Sequence, residues 1–130
     1  MTLDDLIDNF ALFDDWESKY AYVLDLGRKL PPFPEDQKID ANKVEGCVSQ
    51  VWMLTKMKDD KFTFVADSDA HIVRGLIGIL HLAFNDKTAD EIKNIDIEDA
   101  FKKLGMESHL SPNRRNGFFA MVGRIKGEAS

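Results

Sequence analysis

A chain of 130 residues, 44% of them hydrophobic and 10% aromatic, carries enough apolar material for one compact core. A net charge of −6 and a pI of about 5.0 repel, on average, the polyanionic surfaces of nucleic acids and acidic membranes. No apolar run approaches the roughly 20 residues that span a bilayer. The acidic start Met1-Thr2-Leu3-Asp4-Asp5 does not read as a secretory signal either, so a soluble, cytoplasmic protein with protein or small-molecule partners is expected.

Leu3, Leu6, Ile7, Phe10 and Phe13 recur at helical spacing, with Thr2 as N-cap and Asp5 three residues on. A second helix is predicted from Asp14 or Asp15, where Asp14 and Glu17 have capping-box spacing. Its buried stripe is expected to be Trp16, Tyr20, Val23 and Leu24, and Gly27 is placed to serve its C-terminal turn. Pro31, Pro32 and Pro34 stop any helix there, and Phe33 is expected to be pinned on the core.

The period then changes. Val51 to Met57 is rich in Val, Trp, Met and Thr. Lys58-Asp59-Asp60-Lys61 reads as a tight turn, and Phe62, Thr63, Phe64 and Val65 alternate on the way back. The segment 49–66 is read as a β-hairpin, with Lys43 to Glu45 as a short third strand. Asp67-Ser68-Asp69 offers three candidate caps for a long, largely buried helix over Ile72 to Phe84, whose Gly75 and Gly78 suggest close approach to the sheet. Thr88-Ala89-Asp90-Glu91 is a capping-box pattern, and Asp96 caps a further short helix that ends near Gly105. Ser111-Pro112 opens the last helix, with Phe118, Met121, Val122 and Ile125 on its apolar face. The pattern is one α+β domain over residues 1–130, with no repeat or linker.

Chemistry concentrates on Cys47, the only cysteine. A lone cysteine forbids an intramolecular disulfide and fits a reducing compartment. His71, His81 and His109 show no local pairing of the kind structural zinc sites use, and cluster ligation demands several thiolates, so no metal is expected. Cys47 follows Gly46 between a candidate strand and the hairpin, where a turn can present a thiol. Two readings stand from spacing alone: an inert buried thiol, common for free cysteines, and a reachable nucleophile. A papain-like site needs an oriented histidine, and a peroxidatic one usually works with a second thiol.

The residues also carry a resemblance. Val44-Glu45-Gly46-Cys47-Val48-Ser49-Gln50-Val51-Trp52 is similar to the cysteine motif of the SufE family of sulfur acceptors. Asp67-Ser68-Asp69-Ala70-His71-Ile72-Val73-Arg74-Gly75-Leu76 and Leu110-Ser111-Pro112-Asn113-Arg114-Arg115-Asn116-Gly117 resemble two further blocks, as does Leu30-Pro31-Pro32. They follow the family's order along nearly the whole chain. Glu45 stands where many members have proline, Ala66 where many have glycine, and Arg115 where a small polar residue is common.

The resemblance implies an α+β fold like that of IscU-type scaffold proteins, a small antiparallel sheet of about three strands packed against several helices. It implies that Cys47 takes persulfide sulfur from a SufS- or CsdA-type cysteine desulfurase, stimulates that enzyme, and delivers to a SufBCD-type scaffold. The pyridoxal phosphate resides on the partner, and this chain needs no cofactor of its own. It would be co-substrate and activator rather than a stand-alone enzyme, either monomer or homodimer.

Gly46, Gln50, Trp52, Asp67, Asp69, His71 and Arg114 are the candidate supporting or partner-binding residues. Arg114 is expected to supply positive potential near the thiol, although a cation in a first helical turn opposes the dipole. Asp67 and Asp69 are each a helix cap or a partner contact, with Asp67 a candidate to hold Arg114. His71 is a first-turn structural residue or a proton-handling neighbour. Trp52 is sheet packing or a lid over the thiol. An interaction module that binds desulfurase or scaffold without accepting sulfur is the alternative class, and a cysteine hydrolase or peroxidase is a third.

Overall fold

The computed structural model describes residues 2–46 and 49–129. Its elements in chain order are helix α1 (Leu3–Phe10), helix α2 (Trp16–Arg28), strand β1 (Val51–Lys58), strand β2 (Lys61–Ser68), helix α3 (His71–Phe84), strand β3 (Lys87–Thr88), and helices α4 (Ala89–Asn94), α5 (Ile97–Lys103) and α6 (Pro112–Ala129). Short 3₁₀ turns at Glu35–Gln37 and Asp40–Asn42 bridge the proline-rich stretch between α2 and β1. The sheet is antiparallel with order β1-β2-β3, and the α+β class expected from the sequence is the one observed. Among the described residues no helix is long and apolar enough to cross a membrane.

Local chemistry accounts for most boundaries. Thr2 Oγ1 and the Asp5 carboxylate close a reciprocal capping box on α1, and Thr88 with Glu91 does the same on α4. On α2 the cap is Asp15, which accepts from the Ser18 N–H, so the Asp14–Glu17 box does not form. Lys58 pairs with Lys61 across Asp59 and Asp60, both at positive φ (53° and 65°). Such a primed turn matches the twist of the strands it joins, and Asp tolerates it better than most residues. Phe62, Phe64, Ala66 and Ser68 alternate inward along β2, which is the period the sequence shows.

Four further expectations are corrected. The third strand is Lys87–Thr88, paired on β2, while Lys43 makes only an isolated bridge to Trp52. The second correction concerns the caps of α3. Asp67 and Ser68 belong to β2, and the N-cap is Ala70 without a side-chain bond. The run of three polar residues is consumed in ending the strand: Ser68 Oγ accepts from the Ala70 N–H at 3.2 Å.

The glycines meet a different neighbour from the one foreseen. A Cβ on Gly75 would lie 2.4 Å from the Val23 carbonyl oxygen, one on Gly27 would lie 2.8 Å from the Gly75 nitrogen, and one on Gly78 would lie 2.9 Å from Leu26 Cβ. These three glycines therefore let α2 and α3 approach backbone to backbone. Gly27 does lie in the last turn of α2, where its carbonyl accepts the Leu30 N–H at 3.4 Å, but it also packs on α3, and the close approach of the glycines is to a helix rather than to the sheet. The fourth correction follows from this contact. The buried stripe of α2 is Val23, Leu26 and Gly27, and Tyr20 is 39% exposed.

α3 runs through the middle of the core. Leu76, Ile77, Ile79, Leu80 and Phe84 are almost fully buried, and so are Phe10 from α1, Phe62 from β2, Phe101 from α5 and Phe118 from α6. Each such side chain contributes about 1.5–3 kcal/mol of transfer free energy. α6 closes the core beside β1 and α3 with the predicted face of Phe118, Met121, Val122 and Ile125. Its first turn thereby lies beside the start of β1.

Candidate functional site

Cys47, the predicted sulfur acceptor, and its neighbour Val48 lie outside the described residues. The chain on either side of them is tied down. Val44 donates its N–H to the Val51 carbonyl at 2.9 Å, so the segment leaves and rejoins the sheet at nearly the same place. Asp69 Oδ1 accepts the Gln50 N–H at 3.1 Å, and the Asp69 N–H donates to the Gln50 carbonyl at 3.3 Å. Gly46 takes φ +89°, a conformation that favours glycine, and a Cβ there would stand 3.2 Å from Ala120 of α6. Arg124 of α6 donates to the Lys43 carbonyl at 3.3 Å while its Nε bonds Glu128, which also accepts from Thr55. Both feet of this short arch, residues 44–46 and 49–51, are thus held.

Ser49, at the end of the arch, lines a cavity of about 190 Å³ together with Val51, Val73, Leu76, Ser111, Asn113, Arg114, Gly117, Phe118 and Met121. The walls divide by chemistry. β1, α3 and α6 supply an apolar floor, while Ser49 and the first turn of α6 supply hydroxyls, an amide and a guanidinium. Ser111 Oγ caps that turn by accepting the Arg114 N–H at 3.3 Å. Arg114 is half-buried, and its Nη1 is shielded from solvent with no hydrogen-bond partner among the described residues. Arg115 is likewise half-buried with an unpartnered Nε. Two arginines in the first turn of a helix already face the positive end of its dipole. Together they place two positive charges in this turn of a chain of net charge −6, although only Arg114 lines the cavity.

The other predicted residues separate from this cavity. Asp67 does not hold Arg114. It forms ion pairs with Lys38 at 3.1 Å and with Arg74 at 3.0 Å, the latter a charge contact whose angle does not make a hydrogen bond. Lys38 also pairs with Glu35 at 2.9 Å, and these two bonds raise its pKa, Glu35 first and Asp67 second. Trp52 is buried on the sheet face opposite Val51, since successive residues of a strand alternate. Lys38 Nζ stands 5.5 Å from its ring centre, and the indole N–H finds no partner among the described residues. Trp52 therefore packs a layer away from the cavity. His71 is exposed at the first position of α3, where it lines a separate cleft with Tyr20, Leu24, Gly27, Arg28 and Arg74.

Of the predicted set, then, Gly46, Gln50, Asp69 and Arg114 belong to the arch and its cavity. Sequence reasoning passed over Ser49, Val73 and Leu76 as lining residues and Arg124 as a tether. Ser49, Val73 and Leu76 all lie within the quoted blocks. Arg124 reaches a carbonyl 81 residues away, and no local pattern announces such a bond.

The SufE family profile, described as an Fe–S metabolism associated domain, matches residues 4–129. The chain belongs to the SufE family. An uncharacterised SufE-like protein of Rhizobium meliloti is 48% identical over 132 aligned residues, covering 98% of this chain and 94% of that protein. Another from Rhizobium etli is 45% identical, covering 98% and 89%. The solution structure of a hypothetical protein from Thermus thermophilus superposes with a TM-score of 0.80 over 99% of this chain and 96% of that one, at 17% identity, and so shares the fold. Membership of the SufE family associates the chain with iron–sulfur metabolism, as its residue blocks implied.

Proposed function

We propose that this SufE-family chain accepts persulfide sulfur on Cys47 from a pyridoxal-phosphate cysteine desulfurase of the SufS or CsdA type, stimulates that enzyme by clearing its persulfide, and passes the sulfur to a SufBCD-type scaffold. One observation supports this above others. The described residues on either side of Cys47 are held in place beside a cavity whose one charged lining residue among the described residues is Arg114.

The chemistry balances without an added oxidant or reductant. The Cys47 thiolate attacks the outer sulfur of the donor's persulfide. A new S–S bond forms to Cys47, the donor's own S–S bond breaks, and the donor cysteine leaves as a thiolate. A free thiol of pKa about 8.5 is mostly protonated at neutral pH, so positive potential at the site raises the reactive fraction. Arg114 and the N-terminus of α6 supply that potential at the cavity. The apolar floor offers a persulfide shelter from aqueous reductants between receipt and delivery. Gly46 lets the chain turn, and the Gln50–Asp69 pair fixes where the arch ends.

Incubation with desulfurase and free cysteine, followed by intact-mass measurement, tests the reading. The expected result is a gain of one sulfur atom that disappears in Cys47→Ser, together with faster alanine release by the enzyme. Binding to the desulfurase with no mass gain would instead indicate an interaction module.

A further inference from the structure

The outer face of the β1–β2 hairpin carries charges that the fold itself leaves uncompensated. Along β2, Phe62, Phe64, Ala66 and Ser68 point into the core, so Lys61, Thr63 and Val65 point outward. Across the ladder Lys58, Lys56 and Leu54 share that outward face. Lys58 stands directly opposite Lys61, and Lys56 is one diagonal step from Lys61. Like charges so placed cost stability. All three lysines are exposed, and none has an ion-pair partner among the described residues. Asp59 and Asp60 in the turn pair with none of them. Glu91 on α4 feels the charge of Lys61, but its carboxylate is bonded to the Thr88 N–H.

Lysines on an edge strand discourage unwanted strand pairing. That accounts for Lys56 and Lys58 on β1. It does not account for Lys61, which lies on the middle strand between Lys58 and Thr88. A local rule broken without compensation inside the chain marks a functional surface. Beside the lysines runs an open groove of about 460 Å³. Pro31, Leu54 and Val65 give it an apolar lining, Lys56 and Thr63 border it on the sheet, and His81 of α3 closes its far side. Among the described residues no aspartate or glutamate lines it. Lys58 and Val51 are at opposite ends of β1, roughly 20 Å apart, so the lysines stand well away from the arch.

We infer that this face docks an acidic segment of a partner protein that also carries an aliphatic side chain. The partner's carboxylates face Lys56, Lys58 and Lys61 and relieve their mutual repulsion, while its aliphatic group enters the groove between Pro31, Leu54 and Val65. A nucleic acid or polyphosphate offers nothing to that apolar lining, and the net charge of −6 repels it. The inference does not rest on sulfur transfer, and the outcome of neither test decides the other.

Amide NMR titrations of the full chain with short synthetic peptides of equal length provide the test. A peptide alternating glutamate and leucine is expected to shift Leu54, Lys56, Lys58, Lys61 and Val65 saturably, and added salt is expected to weaken it. Peptides alternating glutamate with serine, or lysine with leucine, are expected to bind about tenfold more weakly or less. Lys56→Gln combined with Lys58→Gln is expected to weaken the glutamate–leucine peptide by about tenfold, yet to raise the urea midpoint, because the like charges facing Lys61 are gone. Absence of saturable shifts on this face overturns the inference, and so does a lowered urea midpoint in the double variant. Tighter binding of polyphosphate at the same residues would assign the face to a polyanion and overturn it too. Concentration-dependent self-association that the double variant abolishes would assign the face to a second copy of the chain, with the same consequence.

Discussion

Asp69 grips Gln50 twice, accepting its N–H through the carboxylate at 3.1 Å and donating its own N–H to the Gln50 carbonyl at 3.3 Å. The pair joins the end of the arch to the loop between β2 and α3, across 19 residues of sequence. Asp69→Ala removes the first bond and leaves the second. A hydrogen bond contributes about 0.5–1.5 kcal/mol, and this one is exposed to solvent, so the fold survives with a modest loss. The arch, however, loses one of its ties. Alkylation of Cys47 by iodoacetamide is expected to be faster in Asp69→Ala than in the unaltered chain, with unfolding by urea shifted only slightly. Unchanged alkylation would show that the carboxylate does not restrain the thiol.

Backbone contact between α2 and α3 predicts opposite outcomes for two glycines. At Gly75 an added Cβ would meet the Val23 carbonyl oxygen at 2.4 Å and Val23 Cγ1 at 2.5 Å, and a backbone atom has nowhere to go. Gly75→Ala is expected to cost at least 1–3 kcal/mol, roughly the cost of overpacking, because the helices must separate. Gly123 lies inside α6 with nothing within 4 Å of an added Cβ. There the same substitution is expected to stabilise by up to about 1 kcal/mol, through helix propensity alone. Urea midpoints of the two variants should move in opposite directions, and a common direction would contradict the packing argument.

Helix and strand positions were legible wherever one residue's neighbours decide its state. Thr2, Asp96 and Thr88 announce helix starts because a cap needs only the next turn. Phe62 and Phe64 announce a strand because alternation is local. The errors lie where two local signals compete or where the partner is distant. Asp67, Ser68 and Asp69 all read as caps, yet the ladder from Val51↔Ser68 onward claims the first two for β2. Gly27 and Gly75 read separately as a helix stop and a sheet contact, while each is the reason for the other. In the site, residue type pointed to Arg114. That Asp67 goes to Lys38 and Arg74 instead was beyond spacing, since charged side chains pair by proximity in space.

Removal of the Arg114 charge tests the electrostatic part of the proposed chemistry. Arg114→Ala is expected to raise the pKa of the Cys47 thiol, because an opposite charge nearby favours the thiolate. It is also expected to slow sulfur transfer from the desulfurase, and Arg114→Lys should restore part of both by keeping the charge without the planar fork. Thiol titration by absorbance and single-turnover transfer give the two readouts. If neither changes in Arg114→Ala, the guanidinium has no part in activating the thiol.

His81 gives the fold a pH dependence separate from the site. Its ring stands 5.2 Å from that of Phe64, and burial lowers its pKa below the usual 6.5, outweighing a backbone hydrogen bond at Phe64 that acts to raise it. The unfolded chain therefore binds a proton at this position more readily than the folded one. Stability rises with pH wherever the unfolded state holds more protons, so it is lost as the pH falls below about 6.5 and levels off beneath the lowered folded value. The capping carboxylates Asp5, Asp15 and Glu91, lowered chiefly by their hydrogen bonds at the helix starts, act in the same direction but at more acid pH, below their ordinary values of 3.8 to 4.5. Denaturant midpoints followed downward from neutral pH should fall in the unaltered chain before those carboxylates begin to titrate. In His81→Gln that first decline should flatten while the lower one persists. A first decline of equal slope in both proteins would assign the effect to another group.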